Sequence, residues 1–388
     1  MRYSRLDLNI INRLLPFFGQ SKIDKSNATK NILDKLNYMD IDITDQHREI
    51  VDLYIDHLNS DIITHLGRRL HIILSSLSLN EGVKFANTSI DENKPISDPV
   101  FVIGLPRSGT TNLHNLLIDN LNFKGFEYWQ LTSPSLIFKN RKLDYVSRKT
   151  RSLIGFYLYR YFVPSIQKMH KVKMSTYEEC WHFQKMMFLC YNYVLQLKFF
   201  EFGNCLLNMD TSFVHRQYKR LIQDNSAIGE IYALKCPDHM MSLPEIKEVF
   251  PQSDIIWIHR NPYDSLISYC SMVNSVWELF FGTTDKREVG VFVLEVFDRM
   301  LKNSIAYRSR ENIRIIDINY NDLINNREEV IKELSKKIDR DISISKKTSK
   351  SEFFKNKYNK SKYDYGISRE DVSTRLSYYK EQFSNYLK

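Results

Sequence analysis

At 388 residues and 43% hydrophobic composition, the chain is long enough for one large domain plus an appendage, each with its own core, and too apolar for a disordered or fibrous protein. Its formal charge of +9, from 55 basic and 46 acidic residues, suits a polyanionic ligand, but no nucleic-acid reader motif accompanies it, so no nucleic-acid partner is expected. Cys180, Cys190, Cys205, Cys236 and Cys270 show neither C-x-x-C nor His-paired spacing, which excludes a zinc pattern and a disulfide framework and points to reduced thiols in a cytoplasmic protein.

In chain order, Asp7, Asn9, Asn12 and Arg13 interrupt any signal-peptide core, and no later run of about 18 apolar residues predicts a membrane-spanning helix. Ile10, Leu14 and Phe18 share one helical face, expected to pack on the main domain, with peripheral membrane contact as the other reading. Residues 1–97 read as a helical N-terminal extension. Thr44 caps a helix carrying Ile50, Leu53, Tyr54 and Leu58, and Ile62, Leu66, Leu70, Ile73 and Leu77 continue the spacing. From residue 98 to 388, strands and helices alternate in the βαβ rhythm of an α/β domain, a parallel sheet flanked by helices. A helical, aromatic insertion is expected over about 128–228.

The most informative segment is Pro99–Leu117, an apolar strand entering Gly104-Leu-Pro-Arg-Ser-Gly109-Thr110-Thr111 and then a helix. It nearly spells the phosphate-binding loop G-x-x-x-x-G-K-[ST], in which the Lys reaches the outer phosphates and the hydroxyl holds Mg²⁺. Thr110 occupies the Lys slot, so the backbone cradle survives without the cation for a γ-phosphate. A cation stands instead inside the loop, at Arg107. A second strand, Ser253–His259, runs into Arg260-Asn-Pro262, where a helix should start and carry Ser268 nearly two turns along. Arg260 and Ser268 brought together this way can share one phosphate. Between these two segments, Glu230–Lys235 is a short strand ending in a cation, and strand ends line the usual crevice of such folds.

Pro-Arg-Ser-Gly-Thr-Thr, Lys235 before Cys-Pro237, and the R-N-P-x-D-x-x-x-S run from Arg260 to Ser268 resemble the sulfotransferase family. Glu178-Glu179-Cys180, Asn319-Tyr320-Asn-Asp322-Leu323 and the Tyr363–Ile367 segment are similar to its bacterial-type branch, so the resemblance runs from about residue 98 to the C-terminus. It implies a P-loop-type fold and a metal-independent enzyme moving a sulfuryl group from 3′-phosphoadenosine 5′-phosphosulfate (PAPS) to a hydroxyl or amine. In that reading Arg107, Ser108, Gly109, Thr110 and Thr111 bind the 5′ end of the donor, Arg260 and Ser268 the 3′-phosphate, and Lys235 with Arg107 the leaving charge. The small-molecule branch places its basic His where this chain has Pro237, and its adenine-stacking Trp where this chain has Asn112. The expected base is Glu127, as in branches with a Glu after the loop helix; His170, Glu178, Glu179 and His239 are alternatives. The acceptor stays open among small molecules, lipids, glycans and proteins. Two rival functions stay open as well, a P-loop kinase or NTPase and a catalytically inactive nucleotide-binding protein of the same fold.

Overall fold

In the computed structural model, described for residues 22–162, 172–310, 313–338 and 364–387, the first described elements are helices α1 (Lys25–Tyr38), α2 (Asp45–Asn59) and α3 (His65–Ala86). Strand β1 (Val100–Ile103) leads into α4 (Thr110–Asn120), α5 (Tyr128–Thr132) and α6 (Arg141–Phe162). Next come α7 (Trp181–Gln184), α8 (Asn192–Leu197), α9 (Phe200–Leu207) and α10 (Ser212–Asn225). The remainder is β2 (Ala233–Lys235), α11 (Leu243–Val249), β3 (Ile255–His259), α12 (Pro262–Phe281), α13 (Lys286–Arg310), β4 (Ile315–Asn319), α14 (Tyr320–Asn325), α15 (Arg327–Lys337), α16 (Arg369–Arg375) and α17 (Ser377–Gln382). The Ile10, Leu14 and Phe18 face and His170 lie outside the described residues.

The four strands form one sheet in the order β2-β1-β3-β4, with every pair parallel. Burial on both faces explains why the strands read as unbroken apolar runs. Val100 and Val102 point to one side, where Leu113, Leu117, Ile256, Ile318, Leu323 and Val330 form a smaller core. Phe101 and Ile103 point to the other, into a large core that reaches through α12 and α13 to Ile50, Tyr54 and Leu58 of α2. The N-terminal helices thus share one continuous core with the sheet.

Local signals set the element ends. Pro262 opens α12, where its missing N–H costs nothing, and the Asn261 side chain accepts from the Tyr263 N–H at 3.0 Å. Thr44 caps α2, with His47 reaching back to its backbone N–H at 3.2 Å. The apolar spacing expected to continue from Ile62 to Leu77 is broken. Thr64 starts a new helix by accepting from the Gly67 N–H at 3.0 Å, and Ile62, Ile73 and Leu77 are exposed while Leu66 and Leu70 are buried. Among the described residues no helix is long and apolar enough to cross a membrane.

Candidate functional site

The parallel sheet brings four strand ends to one edge, and each delivers a polar group there: the loop after β1, Lys235 on β2, Arg260 after β3 and Tyr320 after β4. The loop needs its glycines. Gly104 has φ +149° and a Cβ there would stand 2.7 Å from the Ile258 carbonyl; Gly109 has φ +105° and its Cβ would meet the Tyr320 ring at 2.7 Å. Arg107 itself takes φ +68°, a left-handed conformation that costs a side-chain-bearing residue about 1–2 kcal/mol. Two contacts hold it there. Arg260 Nη1 donates to the Arg107 carbonyl at 2.8 Å, and Arg107 Nε donates to Ser268 Oγ at 3.1 Å.

The loop ends at the N-terminus of α4, whose first N–H groups have no intrahelical acceptor. Ser108 Oγ is buried with no hydrogen-bond partner among the described residues. A buried hydroxyl left unpaired costs about 1–3 kcal/mol, so this cradle suits an anion that would accept from both Ser108 and the helix end.

At the end of β2, Lys235 is fully buried and its ammonium is paired: Nζ donates to Glu179 Oε1 at 3.0 Å and to Thr111 Oγ1 at 3.3 Å. The pairing follows from local backbone geometry. The Cys180 N–H donates to the Lys235 carbonyl at 3.0 Å, and Glu178 N–H to the Phe126 carbonyl at 3.1 Å, so the Glu178-Glu179-Cys180 turn is laid across the strand end. Tyr218 donates to the Cys180 carbonyl at 2.7 Å and fixes the turn from behind.

Arg107, Thr111, Glu179 and Arg260 open on a cavity of about 720 Å³, with Ser108, Lys235 and Ser268 outside its lining. Its polar end is lined by Arg107, Gly109, Thr110, Thr111, Arg260 and Tyr320, and its middle by Glu178, Glu179, His182 and Asp238. Apolar lining comes from Leu70 and Leu74 of α3, Phe156 of α6, and Val273 and Val276 of α12, interspersed with polar groups that include Ser75 and Glu81 of α3 and Arg151 of α6. Asp238 is the odd member. Burial first, and the Glu179 charge second, push its carboxyl up to about 7, and its Oδ2 has no hydrogen-bond partner among the described residues.

A carboxyl raised in the folded state weakens the fold as it ionises. The penalty is absent below about pH 4, grows as pH rises, and is complete above about pH 7, with an upper bound of about 4 kcal/mol for a three-unit shift. Asp238→Asn is therefore expected to raise the melting temperature at pH 8 and change it little at pH 4. An equal change at both pH values, read by thermal denaturation, would contradict this assignment.

The model for the sulfotransferase family matches residues 99–343, which span β1, the loop, Glu179, Lys235, Arg260 and Ser268. The chain belongs to the sulfotransferase family. Its fold is shared with solved sulfotransferases. STF9 from Mycobacterium avium superposes with a TM-score of 0.70 at 18% identity, covering 95% of this chain and 98% of that one. STF1 from Mycobacterium tuberculosis H37Rv gives 0.69 at 19%, covering 91% and 97%. No curated protein sequence matches the chain. Family membership supports sulfuryl transfer as the activity.

Within this sulfotransferase, Arg107, Ser108, Gly109, Thr110, Thr111, Lys235, Arg260 and Ser268 all meet at one sheet edge. Glu127 stands apart. It caps α5, its N–H donates to Gln130 Oε1 at 2.8 Å, and its Oε2 accepts the Trp129 indole N–H, so its carboxylate is engaged away from the cavity lining. His239 is fully buried against Phe101 and His215, outside the lining, and burial holds its imidazole neutral. Glu178 lines the cavity while accepting from Thr176 Oγ1 at 3.0 Å. Sequence reasoning missed Asp238, Tyr320 as a ring beneath the Arg260 guanidinium at 4.4 Å, and α3 as a cavity wall.

Proposed function

We propose that this enzyme moves the sulfuryl group of PAPS to a hydroxyl or amine of an acceptor held in the cavity. The observation that carries the reading is an anion cradle whose Ser108 hydroxyl is buried without a partner among the described residues, next to a cluster at the same sheet edge in which the Arg107 and Arg260 guanidiniums and the Ser268 hydroxyl hold one another. A donor with phosphate groups at both ends of its ribose needs two such stations. Ser108 to Thr111 would receive the 5′ end, and Arg107, Arg260 and Ser268 the 3′-phosphate, with the guanidinium–hydroxyl pairing already formed.

Lys235 then neutralises the phosphate oxygen that leaves as the sulfur–oxygen bond breaks. The base falls to Glu179 rather than Glu127, because Glu179 lines the cavity beside Lys235 while Glu127 is occupied by its cap and the Trp129 indole. As the acceptor oxygen or nitrogen bonds to sulfur, its proton passes to the Glu179 carboxylate, and 3′-phosphoadenosine 5′-phosphate (PAP) departs. In the resting site Lys235 and Glu179 satisfy one another. A donor oxygen that draws the ammonium toward itself leaves Glu179 freer to take the proton.

Calorimetry without metal tests the reading by comparing PAP with AMP, and with Mg·ATP separately. PAP is expected to bind about 30-fold or more tighter than AMP, the equivalent of at least one charge-assisted contact. Equal affinity for PAP and AMP, or tighter binding of Mg·ATP, would overturn it.

A further inference from the structure

Helix α6 is amphipathic the wrong way round. The side it turns to the protein carries Asp144, Arg148, Ser152 and Phe156, one per turn, and all four are buried. The polar members of that row are held from inside: Asp144 Oδ1 accepts from the Ile137 N–H at 2.8 Å, Arg148 Nε donates to the Ser133 carbonyl at 2.8 Å, and Ser152 Oγ accepts from Thr132 Oγ1 at 2.9 Å, while Arg148 Nη2 has no hydrogen-bond partner among the described residues. The opposite side carries Leu143, Val146, Ile154, Tyr157 and Tyr161, each between 51% and 59% exposed. At 100° per residue these five fall within about 80° of one another, a solvent-facing apolar stripe along a helix about 33 Å long. Monomeric proteins rarely leave such a stripe uncovered.

Charge selects what covers it. Lys142, Lys149 and Arg160 fall in a single row along one flank of the stripe, and the helix's one acidic residue, Asp144, is buried beneath. Lys139 and Arg141 add to the basic character at the N-terminal end, next to exposed Ile137 and Phe138. A second copy docked by symmetry would bring the same cations to the same seam. An anionic bilayer surface complements both features, since apolar side chains enter the acyl boundary while the flanking cations meet lipid phosphates. Position supports the same partner. Ile154 of α6 and Leu77 of α3 are both exposed and both line the cavity, so the stripe borders the cavity mouth.

We propose that α6 is a membrane-docking helix that seats this enzyme on anionic lipid, with the cavity mouth at the bilayer surface. The docking is independent of the donor assignment. The test uses the full chain and phosphatidylcholine vesicles with or without about one-third phosphatidylglycerol, read by co-sedimentation. The wild type is expected to bind the anionic vesicles, and less so as salt rises. The exposed-face variant Val146→Asp/Tyr157→Asp should bind them about tenfold or more weakly, and Lys142→Glu/Arg160→Glu should lose the preference for anionic lipid. Thermal melting verifies that both variants fold, and PAP affinity, where the wild type has it, should not change. Absence of wild-type binding, equal binding by the aspartate variant, or a wild-type dimer in sedimentation velocity that the aspartate variant dissociates would each overturn the proposal.

Discussion

Replacing Glu179 with glutamine is expected to lower kcat by about 10²- to 10⁴-fold, the range for loss of a positioned general base, while PAP affinity holds or improves. The second half of that expectation comes from the Lys235–Glu179 contact of 3.0 Å. Glutamine keeps the shape and an acceptor oxygen but gives up the charge that competes with the donor for the buried ammonium. A residue that only stabilised the fold would lower melting temperature and affinity together, whereas a base lowers turnover alone. Glu127→Gln is the matching control, and its kcat should stay within an order of magnitude of wild type. If Glu127→Gln instead carries the large loss and Glu179→Gln is mild, the base returns to the capping residue. Lys235→Ala should also lose turnover, and the double variant should lose little more than either alone, because in the proposed reaction the two side chains act on one proton and one leaving oxygen.

Much of this site could be read before any coordinates because its parts are encoded locally. A strand running into Gly104-x-x-x-x-Gly109 is a backbone instruction, and so is Pro262 just after Arg260; both put their polar residues at strand ends whatever the rest of the chain does. The two candidate carboxylates were harder to tell apart for a physical reason. Glu127 and Glu179 both follow strand or helix ends at plausible distances, and only the hydrogen bonds from Cys180 to Lys235 and from Trp129 to Glu127 separate a cavity carboxylate from a capping one. Those are long-range or side-chain events with no periodic signature.

The N-terminal helices carried the opposite lesson. Their spacing announced helices, but not that Leu70 and Leu74 of α3 would wall the cavity, with Leu77 exposed at its mouth and Ile73 facing outward. The same limit applies to α6, where hydrophobic periodicity marks a face without saying which side of it is solvent. The aromatics of the helical insertion divide accordingly, with Phe156, Phe183 and Phe188 inside and Tyr157 and Tyr161 outside.

Arg260→Ala should remove about 2–5 kcal/mol of PAP binding, which is about 30- to 4,000-fold in Kd, and leave AMP binding far less affected. The asymmetry between the two ligands is the informative part, because the proposed function gives Arg260 two jobs. Its Nη1 holds the Arg107 carbonyl at 2.8 Å, which supports the left-handed loop and so would matter to any ligand of the cradle. Its remaining guanidinium donors, stacked over the Tyr320 ring, face the cavity, where only a ligand with a 3′-phosphate would engage them. If the clamp were its whole role, PAP and AMP would weaken by the same factor, and Arg260→Lys, which keeps the charge but not the planar fork, would fail as badly as alanine. If the phosphate contact dominates, lysine should recover part of the PAP affinity and the AMP titration should hardly move. Ser268→Ala completes the argument, since the Arg107–Ser268 contact of 3.1 Å makes that hydroxyl the acceptor that aligns Arg107. Its loss should cost PAP about 1 kcal/mol, the worth of one hydrogen bond, and a loss as large as that of Arg260→Ala would mean that Arg107 rather than Arg260 carries most of the 3′-phosphate recognition.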